Sequence, residues 1–347
     1  MMQLVPDLAA LPGWAARELL DRDGFFSTRA WWATVWEAGV PAGGTPLFAL
    51  HGGPGSGVLL PLLRDAGGRL EALTNPYTCL YPIAAAPGAD LHAAGRALAR
   101  LAGFTPTLRL DALDPGDARL AALLAGARAG GLVPLRFDHF GNWREELAGR
   151  DWAAYLASRP GALRETIRRR LRAAERDPAL SFACHATPEE VGGGIAEYEA
   201  VYARSWKEPE PFPRFNAVLM REAASAGALR LGVLRREGAA IATQLWVVHA
   251  GTAAVLKLAH DEAFKPISPG TALSAWMLRR LIDRERVQAV DFGRGDDPYK
   301  RGWVGQRRQR VGVLIADPWR PSGWAAITRQ AAGAWRRHLS GSPAPAG

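Results

Sequence analysis

The chain has 347 residues, enough for two domains of about 150 to 200 residues that each bury a core, and 48% of it is hydrophobic, which excludes a disordered polymer. No apolar run reaches the roughly 18 to 20 residues of a membrane helix, and residues 1–20 lack the basic start of a secretory signal. A cytosolic protein without stable membrane insertion is expected, with peripheral attachment at the inner face of the membrane as a variant; the net charge of +9 favours a phosphorylated cofactor, a nucleic acid or an anionic surface as partner.

The first half alternates short strands with amphipathic helices, the mark of a mixed α/β layer structure. Strands are expected over residues 45–50 and 77–83, a helix over 90–101 capped by Asp90, a strand over 106–113, an Ala/Leu helix over 117–129 and a strand over 132–137. Glycines at 141, 149 and 161 with Pro160 loosen the pattern, so the domain boundary is placed near residue 150. The second domain, 151–335, opens with an Arg-rich helix over 163–175 and a strand over 180–185. Thr187 and Glu190 then form a capping box for a helix running through Tyr202.

Three strands follow, over 229–236, 239–249 and 252–260, joined at Glu237-Gly238 and Ala250-Gly251, tight-turn pairs that predict antiparallel pairing. A loop over 261–269 feeds a helix over 270–284, then come strands over 287–292 and 310–315, a Trp-bearing helix, and a Ser/Pro/Ala/Gly tail, 340–347, expected to be disordered.

Cys79 and Cys184 lie far apart in apolar surroundings, and the seven histidines show no ligand spacing, so neither a disulfide nor a metal site is expected. Basic residues cluster: seven Arg against two Glu between Arg159 and Arg176, and six cations against two Asp between Arg294 and Arg310. Either cluster could be a solvated face. Only four of the 43 basic residues are Lys, namely Lys207, Lys257, Lys265 and Lys300. Lysine offers a compact ammonium able to donate in any direction and to shift its pKa, so Lys300, in the charged turn after the 287–292 strand, is a candidate catalytic group.

Further candidates stand at element ends. Ser268-Pro269-Gly270-Thr271, where a loop becomes a helix, suits a pyrophosphate through the helix dipole and close backbone approach at Gly270; a simple helix cap is the other reading. Lys257 and Asp261 share one face of an extended strand and could pair, leaving His260 on the opposite face to line a cleft. Trp206 and Lys207 could wall a substrate site. His51-Gly52-Gly53-Pro54-Gly55 looks like the oxyanion-hole segment of α/β-hydrolases, but no serine stands between glycines as a nucleophile elbow requires, so it is read as a hairpin-like turn.

Taken in order, Ser205-Trp206-Lys207, Ile241-Ala242-Thr243-Gln244-Leu245, the Lys257 strand, Ser268-Pro269-Gly270 and Asp291-Phe292 through Asp297-Pro298-Tyr299-Lys300 to Trp303 resemble the CelD-like, FemAB-like branch of the GNAT acyltransferase superfamily. The motif match covers residues 151–317. The resemblance implies an α/β (α+β) fold of two GNAT-like domains, each a mixed, mostly antiparallel sheet flanked by helices, the first a degenerate copy. It implies acetyl-CoA or another acyl-CoA as co-substrate, with its pyrophosphate at Ser268, Gly270 and Thr271 and its pantetheine arm near Lys257 and Gln244, although Ser-Pro-Gly departs from the usual GNAT phosphate loop. Lys300 is assigned to the oxyanion, Tyr299 to the departing thiolate, and Asp297, Asp261 and His260, in that order, to the base; Trp206, Lys207, Arg294 and Trp303 are assigned to the acceptor.

Acyl transfer to an amine, less readily a hydroxyl, of a small-molecule or cell-envelope precursor is therefore expected in the cleft between the domains. An acyl-carrier protein could replace CoA. A Fem-like enzyme drawing on aminoacyl-tRNA along Arg159 to Arg176, and a non-catalytic basic module of a polysaccharide-synthesis complex or anionic membrane, are the alternatives.

Overall fold

A computed structural model describes residues 2–101 and 106–340. Its strands are β1 (Met2–Val5), β2 (Thr45–His51), β3 (Val58–Arg64), β4 (Leu70–Ala72), β5 (Ala84–Ala85), β6 (Thr107–Leu113), β7 (Val133–Glu146), β8 (Leu180–His185), β9 (Leu229–Arg236), β10 (Ala239–His249), β11 (Thr252–His260), β12 (Ala289–Arg294) and β13 (Gln306–Ala316). The chain folds as two compact units, one of Met1–Gly141 with Gln309–Gly347 and one of Asn142–Arg308. The C-terminal strand and helix, placed by sequence in the second domain, thus belong to the first unit, because β13 pairs antiparallel with β6 through Val311↔Leu113 to Ala316↔Thr107.

In the first unit the strand order is β1-β2-β3-β4-β6-β13, antiparallel except for β4 beside β6, with β5 paired to β3. Its core joins Leu47, Leu60, Leu62, Leu108, Leu110 and Ile315 of the strands to Ala94, Leu98 and Leu123 of helices Leu91–Leu98 and Ala118–Ala129. The first helix starts on its expected cap, the Asp90 carboxylate accepting from the N–H of Ala93, and the second on Asp117, whose carboxylate accepts from the N–H of Arg119.

The His51 to Gly55 segment is the turn of a hairpin, with His51 opposite Val58 and Gly52 at φ 83°. The strand expected over 77–83 is irregular chain; Pro76 and Pro82 have no N–H to give a ladder, and the Tyr81 hydroxyl is fixed instead on the Pro61 carbonyl at 2.8 Å. Strand β3 and helix Arg29–Ala38 were not anticipated. Of the expected 340–347 tail only Ser340 lies within the described residues, at the end of helix Pro321–Ser340.

The second unit has the order β7-β12-β11-β10-β9-β8, antiparallel except for β11 beside β12. The three-stranded meander matches the expected bounds, with positive φ at Glu237, Gly238, Ala250 and Gly251, as two-residue turns of this kind require. Ile241, Trp246, Val255, Val290 and Phe292 of the sheet pack with Leu273, Met277 and Leu278 of helix Pro269–Arg279 and with Ile167 and Leu171 of helix Gly161–Arg176. Helix Phe215–Ser225, also missed, buries Phe215, Val218, Leu219 and Met220 at helical spacing behind a proline-punctuated segment.

Candidate active site

Strand β11 is paired along its whole length on one side and barely on the other. Against β10 the register runs from His249↔Thr252 to Ala242↔His260; against β12 it is Thr252↔Ala289, Ala253↔Val290 and Ala254↔Asp291. The cause is local. A bulge sets Leu245 opposite Lys257 and Trp246 opposite Val255, adding Leu256 to β11, and bulges bend the strand that carries them. On the other side Asp291 Oδ1 accepts from Gly293 N and from Asn142 Nδ2, both at 2.7 Å, while β12 shifts register against β7 between Asp291 and Arg294. The two strands therefore part company after Ala254 and Asp291.

A cavity of about 800 Å³ is lined on two sides by residues that follow this parting. Leu258 and His260 of β11 and Gln244 of β10 form one wall, Pro298, Tyr299, Arg301, Gly302 and Trp303 another, Trp206 a third, and Pro160, Ala162 and Leu163 the start of the Arg-rich helix. Ser268, Gly270, Thr271 and Ser274 bring the start of helix Pro269–Arg279 to the same space, with Lys265 beside it. Every lining residue belongs to the second unit, whereas the sequence reading placed the reaction between domains.

Ser268 sits at φ 56°, ψ 55°, a left-handed conformation costly for a residue other than glycine. Its carbonyl accepts from the N–H groups of Thr271 at 3.1 Å and Ala272 at 3.2 Å, and Pro269 has none, so the donor left at this end is the Gly270 N–H. One amide, the positive helix end and the charge of Lys265, shared with Glu262 at 3.4 Å, make an anion-receptive corner with fewer backbone donors than a glycine-rich phosphate loop. Buried Gln244 fixes the corner: its Nε2 donates to Ser274 Oγ at 2.6 Å and to the Gly270 carbonyl at 3.2 Å, while its Oε1 accepts from Trp246 Nε1 at 2.9 Å.

His260 lies 4.5 Å from the Trp206 ring, and its Nδ1 would stand 3.5 Å from a β-carbon at Gly270. Burial, opposed by Glu262, lowers its pKa from 6.5, so the imidazole is neutral at pH 7 and able to accept a proton. Tyr299 has a raised pKa, through loss of solvent first and the Asp297 carboxylate second.

Other assigned residues stand elsewhere. The ammonium of Lys300 donates to the Arg294 carbonyl at 2.5 Å and the Gly295 carbonyl at 3.3 Å and pairs with Asp297 Oδ2 at 2.9 Å. Its three N–H groups thus have three acceptors, the residue is buried, and it is not part of the cavity lining, so the structure gives it a fastening role instead of an oxyanion contact. Arg294 takes part through its backbone carbonyl.

The expected Lys257–Asp261 pair does not form. Lys257 meets Glu210 Oε1 at 2.6 Å, while Asp261 accepts from Arg204 Nε at 2.6 Å and from Ala263 N at 3.0 Å. Burial resists ionisation of Asp261, but these donors outweigh it and lower its pKa, so it is a poor base. Both side chains point away from the cavity that Leu258 and His260 line, as strand alternation requires.

Sequence reasoning missed the clamp behind Trp303. Arg159, counted there in a solvated or phosphate-tracking face, is buried; its guanidinium donates to both Glu145 oxygens, at 2.7 and 3.2 Å, and to the Trp303 carbonyl at 2.7 Å. The Tyr155 hydroxyl reaches the same carbonyl at 2.5 Å, and Glu145 also accepts from Arg150 at 2.8 Å and Gly305 N at 2.6 Å. Arg301 and Ser274 were missed as lining groups too. Among the described residues no cluster of His, Cys, Asp and Glu is arranged to hold a metal ion, and no helix is long and apolar enough to cross a membrane.

Comparison with known proteins places this geometry. Residues 161–301, which carry the cavity from its Arg-rich helix to Arg301, match the family model of the acetyltransferase (GNAT) domain. A conserved protein of unknown function from Bacteroides thetaiotaomicron superimposes with a TM-score of 0.60 at 14% identity, over 91% of this chain and 100% of that one. FemX superimposes with a TM-score of 0.59 at 10% identity, over 88% of this chain and 95% of that one. No curated protein sequence matches the chain. At such identities the superpositions speak for the fold alone, and the family match speaks for one stretch of the chain: residues 161–301 match the acetyltransferase (GNAT) domain, within a fold shared with FemX.

Proposed function

We propose that the second unit binds an acyl-CoA-type thioester in the 800 Å³ cavity and transfers its acyl group to an amine. The observation that carries this reading is the parting of β11 from β12 after Ala254, beside a helix start that offers positive potential to a pyrophosphate. The β11 edge beyond Ala254, released from β12, offers backbone N–H groups to the amides of a pantetheine arm and to the carbonyl oxygen that becomes negative during attack.

In the transfer the amine nitrogen bonds to the thioester carbon, His260 takes the proton that the nitrogen must lose, and the C–S bond breaks to give an amide and a thiol. His260 displaces Asp297 and Asp261 as the preferred base because it alone of the three lines the cavity. The raised pKa of Tyr299 suits a phenol that stays protonated and donates a hydrogen bond to the departing sulfur, with full protonation left to solvent. The test is release of free thiol from acetyl-CoA and longer acyl-CoAs with a panel of amines. Amine-dependent release supports the reading; no release from any acyl-CoA, with no CoA binding by calorimetry, removes it.

One observation favours a second reading, an aminoacyl-tRNA donor. Arg168, Arg169, Arg172 and Arg176 are exposed along the helix whose first turn lines the cavity. tRNA binding that falls steeply between about 50 and 200 mM salt, and is lost when these four are neutralised, supports that donor.

A further inference from the structure

Three of the four lysines are spent on carboxylates: Lys257 on Glu210 at 2.6 Å, Lys265 on Glu262 at 3.4 Å and Lys300 on Asp297 at 2.9 Å. Lys207 differs. Among the described residues its ammonium has no carboxylate within ion-pair distance and rests 5.3 Å from the centre of the Trp206 ring. Trp206 is a cavity wall, 47% exposed, with His260 4.5 Å from its ring, so Lys207, itself outside the cavity lining, and the group assigned to take the proton contact one and the same indole.

The position is fixed from behind. The Lys207 N–H donates to Ser205 Oγ at 3.3 Å, and that hydroxyl donates to the Tyr202 carbonyl at 2.8 Å, closing the turn after helix Pro188–Ala203. Burial lowers the pKa of Lys207, and Lys257 adds to the effect, against the pull of Asp297 and Glu210. A half-buried ammonium with no carboxylate at ion-pair distance is costly until an anion meets it.

We infer that Lys207 is the anion subsite of the acceptor: the amine that is acylated carries a carboxylate or a phosphate, which the ammonium binds at the edge of Trp206 while the amino group faces His260. This rests on the transferase reading for the words acceptor and amine, but the anion site itself can be tested without turnover. Carboxylate and phosphate share the chemistry that Lys207 recognises, and the arms of the test separate them.

With only four lysines, reductive methylation with labelled formaldehyde gives four side-chain signals that Lys-to-Arg variants assign. N-acetylglycine, inorganic phosphate and neutral N-acetylglycinamide are titrated in turn. The expected result is a saturable shift of the Lys207 signal with one of the two anions, none with the amide, and little movement of Lys257 and Lys300. No saturable shift, or equal movement of all four signals, overturns the subsite.

In turnover, glycine and 2-aminoethyl phosphate are compared with glycinamide. The better anionic amine should exceed the neutral one in kcat/KM by about ten-fold or more, the size of a hydrogen bond between charged groups. Lys207→Met should bring the ratio to within about two-fold and Lys207→Arg should largely keep it. A preference that survives Lys207→Met refutes the assignment. Absence of thiol release with every amine, together with a saturable Lys207 shift, would sink the donor reading and leave the anion site standing.

Discussion

The two units are made of similar parts, a mixed sheet with helices, yet they treat buried charge in opposite ways. Among the described residues the first unit buries one charged side chain, Arg310, on Asp114 at 2.7 Å, and closes its helix layer backbone to backbone: a β-carbon at Gly95 would strike the Leu123 carbonyl, and one at Gly126 the His92 carbonyl. The second unit buries Glu145, Arg159, Asp261 and Lys300, each matched, and three of them hold the chain around residues 294–305 that walls the cavity. A sheet that opens loses ladder hydrogen bonds at the gap, and its flanking loop must be fixed by something other than a neighbouring strand. Charged side chains with several donors or acceptors supply that fixing.

The sharpest way to break this comparison is to remove the imidazole that the second unit turns into its cavity. His260→Gln should lower kcat/KM by about 10²- to 10⁴-fold, as expected for loss of a general base. The wild-type rate should fall as pH drops through a value below 6.5, where the imidazole gains its proton, and the variant should lose that limb. The same depressed pKa makes the unfolded chain bind the proton more readily, so His260 withdraws stability as pH falls below 6.5.

Next in size is the clamp. Glu145→Gln leaves Arg159 buried with half its partner's charge-assisted bonding gone and should cost about 3 to 5 kcal/mol in thermal or denaturant unfolding. The Glu145 pKa is lowered: burial raises it, but Arg150 and Arg159 prevail, so the clamp's contribution is full above the ordinary 4.5 and fades as pH falls towards the depressed value. Activity should fall with stability, since Trp303 moves with the clamp. Gly95→Ala in the first unit should cost about 1 to 3 kcal/mol by overpacking, with kcat/KM unchanged at temperatures where the protein stays folded. Equal losses of activity in the two variants would erase the distinction between a unit that seals and a unit that opens.

Much of the cavity was legible because its residues stand at element ends that leave a mark in sequence. Glu237-Gly238 and Ala250-Gly251 fixed the meander, which fixes the faces of β11; Ser268-Pro269-Gly270-Thr271 marked the helix start; Trp206 came from its place at a helix end, and Gln244, Tyr299 and Trp303 from the family resemblance. Partner choice was not legible. Lys257 takes Glu210 and Asp261 takes Arg204, 47 and 57 positions away, and nothing in a strand's alternation says which distant charge will arrive. Lys300 shows how a sound chemical argument can mislead: the compact ammonium that donates in every direction is useful to a catalyst and equally useful to three acceptors of one turn. Arg159 looked like its exposed neighbours because burial depends on helix geometry around Pro160, whereas a run of arginines reads as one surface.

The smallest expected effect tests whether the cavity corner is held by polar contacts in the same manner as its opposite wall. Ser274→Ala deletes the hydroxyl that Gln244 Nε2 meets at 2.6 Å but leaves the amide its 3.2 Å contact to the Gly270 carbonyl. The stability cost should be near 1 kcal/mol, since one of the two acceptors persists. Gln244→Met removes both donations and strands the Trp246 indole N–H, so it should cost more, and the double variant little beyond Gln244→Met alone, because the serine acts through the glutamine. If Gly270 serves the donor phosphates, Ser274→Ala should raise the KM for acyl-CoA a few-fold and leave kcat nearly unchanged, the pattern of weakened binding shared by ground and transition states. A change in kcat with constant KM would instead put this corner, which adjoins His260, next to the reacting carbonyl.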